Sequence, residues 1–122
     1  MVWRGVIIEE SLEDNSLLKL VKIIKTTESK LEGEEEKGVW HFHSVDISNK
    51  DLDDFTKKAK KAIKPKWWMH LVNKDNMIIM LKGRAFKHKR GDKKALKKIR
   101  NYVASQGILQ LPEETLFEHP YD

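Results

Sequence analysis

The chain has 122 residues, of which 39% are hydrophobic and 35% charged, with a formal net charge of +5 and no cysteine. That length suits one domain, residues 1–122, built on one core. The apolar content argues against wholesale disorder, and without cysteine there are no disulfides, thiolate metal ligands or cysteine nucleophiles.

The charge is segregated. Residues 1–56 carry 7 Lys/Arg against 13 Asp/Glu, residues 57–100 carry 17 against 2, and residues 101–122 carry none against 4. Such a field suits a polyanionic partner, or the pairing of one half of the fold, or one subunit, with another. The missing disulfide staples favour a reducing compartment. The apolar run after Met1-Val2-Trp3-Arg4-Gly5 meets Glu9-Glu10 too soon for a signal peptide. The longest apolar stretch, Met77 to Leu81, is too short to span a bilayer. A cytoplasmic protein with no membrane partner is expected.

Val2 to Ile8 reads as a strand with Trp3, Gly5 and Ile7 on one face and Val2, Arg4, Val6 and Ile8 on the other. Ser11 to Asp14 is turn-like, and Asn15 or Ser16 is placed to cap a short helix through Leu17, Leu18, Leu20 and Val21. Lys22 to Leu31 contains Ile23, Ile24, Thr26 and Thr27 and reads as a strand rather than an extension of that helix. Gly33 to Gly38 then forms an acidic hairpin loop into a strand from Val39 to Ile47. Ser48 with Asp51 resembles a helix N-cap with an acidic partner. The helix runs from about Lys50 to Ile63, its stripe Leu52, Phe55, Ala59, Ala62 and Ile63 facing inward and its lysines outward. Pro65 ends it.

Lys66 to Val72 reads as a strand and Asn73-Lys74-Asp75-Asn76 as a turn. Met77 to about Lys87 returns as the partner strand, with Gly83 as a bulge or a close backbone approach. After Arg90-Gly91-Asp92, a second helix runs from about Lys93 to Gln106 on a stripe of Leu96, Ile99 and Val103, and Gly107 stops it. Residues 108–122 read as a partly irregular tail with a helical turn near Glu113 to Phe117. The order predicts an α+β fold: a mainly antiparallel sheet of about five strands with two main helices packed on one face.

Three patterns carry candidate chemistry. His41 and His43 share one face of their strand, a spacing at which two imidazoles can ligate one ion. A third ligand would have to come from His70, Asp46 or Glu10, the plainer alternative is a polar sheet face, and no metal is assigned. Trp67 and Trp68 fall on opposite faces of a strand. One ring belongs to the core, and the other is either a stacking platform beside lysines or part of a packing cluster with Ile79 and Phe86. His88 to Lys94 leads into a helix start, where backbone amides and cations suit a phosphate; a solvated charged face is the plainer alternative. There is no Gly-x-Ser-x-Gly elbow, and the glycine pattern of a nucleotide-binding loop is missing, so no cofactor is expected. Glu9 and Glu10, read as the end of a strand, would point to opposite sides.

The segments Trp3-Arg4-Gly5-Val6-Ile7-Ile8-Glu9-Glu10-Ser11-Leu12 and Gly38-Val39-Trp40-His41-Phe42-His43 resemble parts of small uncharacterised prokaryotic α+β proteins. The resemblance implies a conventional cytoplasmic domain and assigns no functional residue. Three functional readings follow. The preferred one is a nucleic-acid-binding accessory domain, for RNA or single strands, using a basic surface from residues 57–100: Lys57, Lys60, Lys61, Trp68, His88, Arg90, Lys93, Lys94 and Lys97. The second is a small-molecule-binding domain or enzyme with a cleft near Glu10, His41, His43 and His70. The third is a homo-oligomer in which acidic and basic regions meet.

Overall fold

A computed structural model describes residues 2–30 and 39–121, so the acidic hairpin loop read at 33–38 lies outside the described residues. The fold is α+β. Among the described residues, six strands form one sheet: β1 (Val2–Ile8), β2 (Lys22–Lys30), β3 (Val39–Ser48), β4 (Trp68–Asn73), β5 (Asn76–Leu81) and β6 (Arg84–Lys89). Their order across the sheet is β2-β3-β1-β4-β5-β6, and each neighbouring pair is antiparallel. The first strand is thus a central one. Two α-helices accompany the sheet, α1 (Leu52–Ala62) and α2 (Lys93–Ser105).

The sixth strand arises at Gly83. This glycine sits at φ +78 in the Lys82-Gly83 turn between β5 and β6, so the stretch from Met77 to Lys87 is a hairpin and not one bulged strand. Only glycine adopts that backbone readily. At the preceding hairpin, Lys74 takes a left-handed φ of 53 between β4 and β5, where the Asn73–Asn76 signal places a turn.

The two helices lie on opposite faces of the sheet, which corrects the one-face expectation. Antiparallel partners share a face, so Leu71 with Ile78 and Met69 with Met80 point one way, while Val72 with Met77 and His70 with Ile79 point the other. The first set joins Trp3, Ile7, Val45 and Ile47 around Phe55, Ala59 and Ala62 of α1. The second set joins Ile99 and Val103 of α2 with Ile108 and Phe117 of the C-terminal segment. The unbroken run Met77-Ile78-Ile79-Met80-Leu81 is buried on both sides, and such a run belongs to a strand covered on both faces.

Local chemistry sets the ends of the helices. Asp53 and Asp54 in the first turn and Lys60 and Lys61 in the last suit the dipole of α1. Ser48 hydrogen-bonds to the Asp51 carboxylate and caps no backbone amide; residues Asn49–Asp51 form a 3-10 turn instead. Asp92 caps α2 by accepting from the Ala95 amide at 3.0 Å, and Gly107, at φ +79, lies just beyond its end. The short helix at Asn15–Leu20 is a 3-10 helix capped by Asp14, through Ser16 N–H, and not by Asn15 or Ser16. The C-terminal segment contains the expected turn, at Glu114–Phe117, but it is anchored, with Ile108, Pro112 and Phe117 buried.

Where β1 meets β4, a Cβ on Gly5 would lie 2.1 Å from the His70 carbonyl oxygen. Gly5→Ala is therefore expected to push the two strands apart and to destabilise the fold by about 1–3 kcal/mol, the range of overpacking changes. A lower urea midpoint with an unchanged slope will report it.

Candidate functional site

The sheet face that carries α2 is covered unevenly. The helix lies over β6, where Phe86 and Tyr102 rings meet at 5.2 Å. The C-terminal segment crosses β4. The Trp68 indole N–H donates to the Gln110 carbonyl at 2.9 Å, and the His70 Nε2–H donates to the Pro120 carbonyl at 2.9 Å. Tyr121 then donates to Asp46 on β3. Beside this strap lies a cleft of about 460 Å³. Val6 and Ile8 of β1 and Phe42 of β3 form its floor by sheet register, since Ile8 pairs with Phe42 and Val6 with His70. Trp40, Trp67, Trp68, His70, Leu116 and Lys66 are among the residues of its walls, with the polar Gln110 beside them.

Trp67 precedes β4, and Lys66 before it has a left-handed φ of 69. Such a backbone is uncommon outside glycine. It releases Trp67 from strand alternation, and its ring lies 4.9 Å from that of Trp40, tilted by 49°. Both tryptophans are half-buried, which leaves aromatic surface open to a flat partner.

A second cluster lies at the end of β1. Residues Glu9–Ser11 form a 3-10 turn, so strand alternation stops at Ile8 and both carboxylates reach β3. This corrects the reading that placed them on opposite sides. Glu10 accepts from the His41 backbone N–H at 2.5 Å and from its Nδ1–H at 3.0 Å. His43, which is buried, hydrogen-bonds through Nε2 to Glu9 at 3.1 Å and through Nδ1 to Thr26 Oγ1 at 2.8 Å. His41 Nε2 also lies 3.5 Å from Glu28. The hydrogen bond to Glu10 holds the His41 pKa above its ordinary value. Partial burial works to raise the Glu10 pKa, but the His41 backbone and side-chain donors outweigh it and hold the carboxyl low.

The structure thus brings Glu10, His41 and His43 together and places His70 elsewhere. His43 pairs with Ile7 and His70 with Val6, and adjacent residues of β1 face opposite sides. The basic candidates are dispersed too. Lys57, Lys60 and Lys61 belong to α1 and Lys93, Lys94 and Lys97 to α2, on opposite sides of the sheet. Trp68 packs under the C-terminal segment. His88 is 2% exposed, with its ring 5.5 Å from Phe117. Arg90 is engaged by Asp75 at 3.0 Å and Glu118 at 3.3 Å and lies over the Phe117 ring. Trp40, Phe42 and Lys66 were not singled out by their spacing, because their meeting depends on strand order and on the turn at Lys66.

Burial holds the His70 pKa below its ordinary value, and the Pro120 carbonyl only partly opposes this. The unfolded chain then binds the proton more readily, so the stability supplied by neutral His70 is complete above about pH 6.5 and is lost as pH falls toward the lower folded value. In His70→Gln, the drop in denaturation midpoint between pH 7.5 and 5.5 is expected to be smaller than in the parent chain. Comparisons with protein-family models, with curated proteins and with solved structures found no match to this chain.

Proposed function

We propose that this chain is a binding domain for a small, flat, unsaturated ligand that carries negative charge, held in the cleft between Trp40, Trp67 and Trp68. The observation that carries this reading is the cleft itself. Its volume of about 460 Å³ falls in the range of about 300–1,000 Å³ typical of small-molecule sites. Its walls are mainly aromatic and aliphatic, with His70 and Gln110 as polar members and Lys66 as the cation among the lining residues. Offset or tilted rings attract a flat π system, and Lys66 suits an anionic substituent. This keeps the small-molecule reading but moves its centre from the histidine pair to the tryptophans, with His70 as the shared residue.

A second reading, single-stranded nucleic acid, is favoured by one feature. Lys25 of β2 pairs with Ser44, which pairs with Val6 of the cleft floor, so a cation lies on the same sheet face as the stacking rings. A base on Trp40 or Trp67 with phosphates toward Lys25 and Lys66 would follow the usual stacking arrangement. The lysines of α1 and α2 lie on opposite faces and do not support one continuous basic surface. Self-association is a third reading, supported by the β2 edge, where Ile23 and Ile24 are 42% and 50% exposed.

Three of the four tryptophans line the cleft, and Trp3 is buried on the other face, so intrinsic fluorescence reports on it directly. Titration with nucleoside monophosphates and flavin mononucleotide is expected to quench this emission saturably. Trp40→Ala and Trp67→Ala should each weaken binding by about 1–3 kcal/mol, as for a lost stacking ring, or roughly 5- to 150-fold in Kd. Affinity that rises with the length of an oligonucleotide and falls steeply with salt would favour the single-strand reading. The lack of saturable quenching by any of these ligands would overturn both.

A further inference from the structure

We propose that Glu9, Glu10 and His41 form a binding site for a divalent transition-metal ion of the Zn2+ type, with His43 as the residue that positions Glu9. The site is on the sheet face opposite the aromatic cleft and is independent of the ligand proposed there. Each of the three residues offers one donor atom, and these atoms lie within 4.8 Å of one another. Zinc holds carboxylate oxygen and imidazole nitrogen at about 2.0–2.2 Å, which puts tetrahedral donors about 3.4 Å apart. Side-chain rotation closes that difference, because all three groups are about a third exposed and end in rotatable bonds. The ion would take the place of the hydrogen that His41 Nδ1 shares with Glu10. One imidazole with two carboxylates is a zinc-type donor set, and three protein ligands leave a position open to water.

The scaffold around these donors is fixed. Ser11 is buried, its hydroxyl donates to the Ile8 carbonyl at 2.6 Å, and its carbonyl accepts from Lys64 N–H at 2.8 Å. Leu12 bridges to Ile63 just beyond α1. The turn that carries both carboxylates is thereby tied to the sheet at one end and to the helix at the other. Behind the carboxylates, Thr26, His43 and Glu9 form a hydrogen-bonded series. A buried imidazole whose N–H orients a ligating carboxylate is the kind of outer partner that metal sites use. An ordinary pair of surface imidazole–carboxylate contacts contributes little to stability and needs no such support.

Isothermal titration of the full chain with ZnCl2 tests this, together with Co2+ titration followed by NMR of the histidine rings. Saturation at one equivalent is expected, with Co2+ broadening the His41 signals most and sparing His70 and His88. Glu10→Gln and His41→Ala should each weaken Zn2+ binding by at least about tenfold, and His43→Ala by about 10- to 100-fold. His43→Gln, which keeps an N–H donor toward Glu9, should restore most of that loss. Failure to saturate, broadening centred away from residues 9, 10 and 41, or unchanged affinity in Glu10→Gln would overturn the site. Lack of rescue by His43→Gln would overturn the positioning role. Should His41→Ala fail to fold, the broadening pattern in the unaltered chain decides. Binding of aromatic ligands in the cleft is a separate measurement, and its outcome does not bear on this one.

Discussion

The sheet is held together at one narrow seam. Arg4, Gly5 and Val6 of β1 pair with Val72, Leu71 and His70 of β4, and this contact joins the β2-β3-β1 half to the β4-β5-β6 half. At its centre the Gly5 backbone approaches the His70 carbonyl so closely that no side chain fits. The cluster under α1 depends on that seam, because Trp3, Ile7, Val45 and Ile47 come from one half and Met69, Leu71, Ile78 and Met80 from the other. Burying apolar surface from both halves under one helix supplies the driving force, and Gly5 lets the backbones approach closely enough to gain it.

The seam also locates the two candidate sites. Val6 and His70 face the side that carries α2, beside the aromatic cleft, while Ile7 and His43 face the other side. At Ile8 the strand passes into the 3-10 turn that carries Glu9 and Glu10. One strand therefore contributes to a hydrophobic recess on one face and, through its exit turn, to an imidazole–carboxylate cluster near the other. The C-terminal segment sets the boundary of the recess. It is pinned by Trp68 to Gln110, Arg100 to the Pro112 carbonyl, His70 to Pro120 and Tyr121 to Asp46. These bonds make it a structural wall although a 3-10 helix at Glu114–Phe117 is all the regular secondary structure described in it. The separation of charge along the chain does not become one charged surface, because α1 and α2 carry their lysines on opposite sides of the sheet. Among the described residues, no helix is long and apolar enough to cross a membrane.

Several features were legible at the level of single elements. The alternation in Val2–Ile8 marks which side chains of β1 are buried, and the Leu52, Phe55, Ala59, Ala62 and Ile63 stripe marks the inner face of the first helix and its exit. Adjacent residues in Ile78-Ile79 both being apolar was the available sign that β5 is covered twice, since a strand with one wet face alternates. The local reading of Gly83 as a bulge or a close backbone approach failed, because the glycine serves a turn. The choice rests on whether the flanking residues pair with each other, and Leu81 does pair with Arg84. Glu9-Glu10 misled for a related reason: the turn begins one residue after the apolar alternation ends.

The α+β class, the β1 and β3 strands, both α-helices and the hairpin turn at Lys74 are readable from residue patterns, because periodicity and turn residues act over a few neighbouring positions. The sequence also singled out Glu10, His41, His43 and His70 as a group, from which the fold removes His70. The strand order, the placement of the helices on opposite faces, the separation of His70 from His41 and His43, and the meeting of Trp40 with Trp67 emerge only in the folded chain. Trp40 and Trp67 stand 27 positions apart in the chain, and local patterning carries no information about which buried face meets which. Hydrophobic burial is non-directional: it requires each apolar face to be covered and does not specify by which segment.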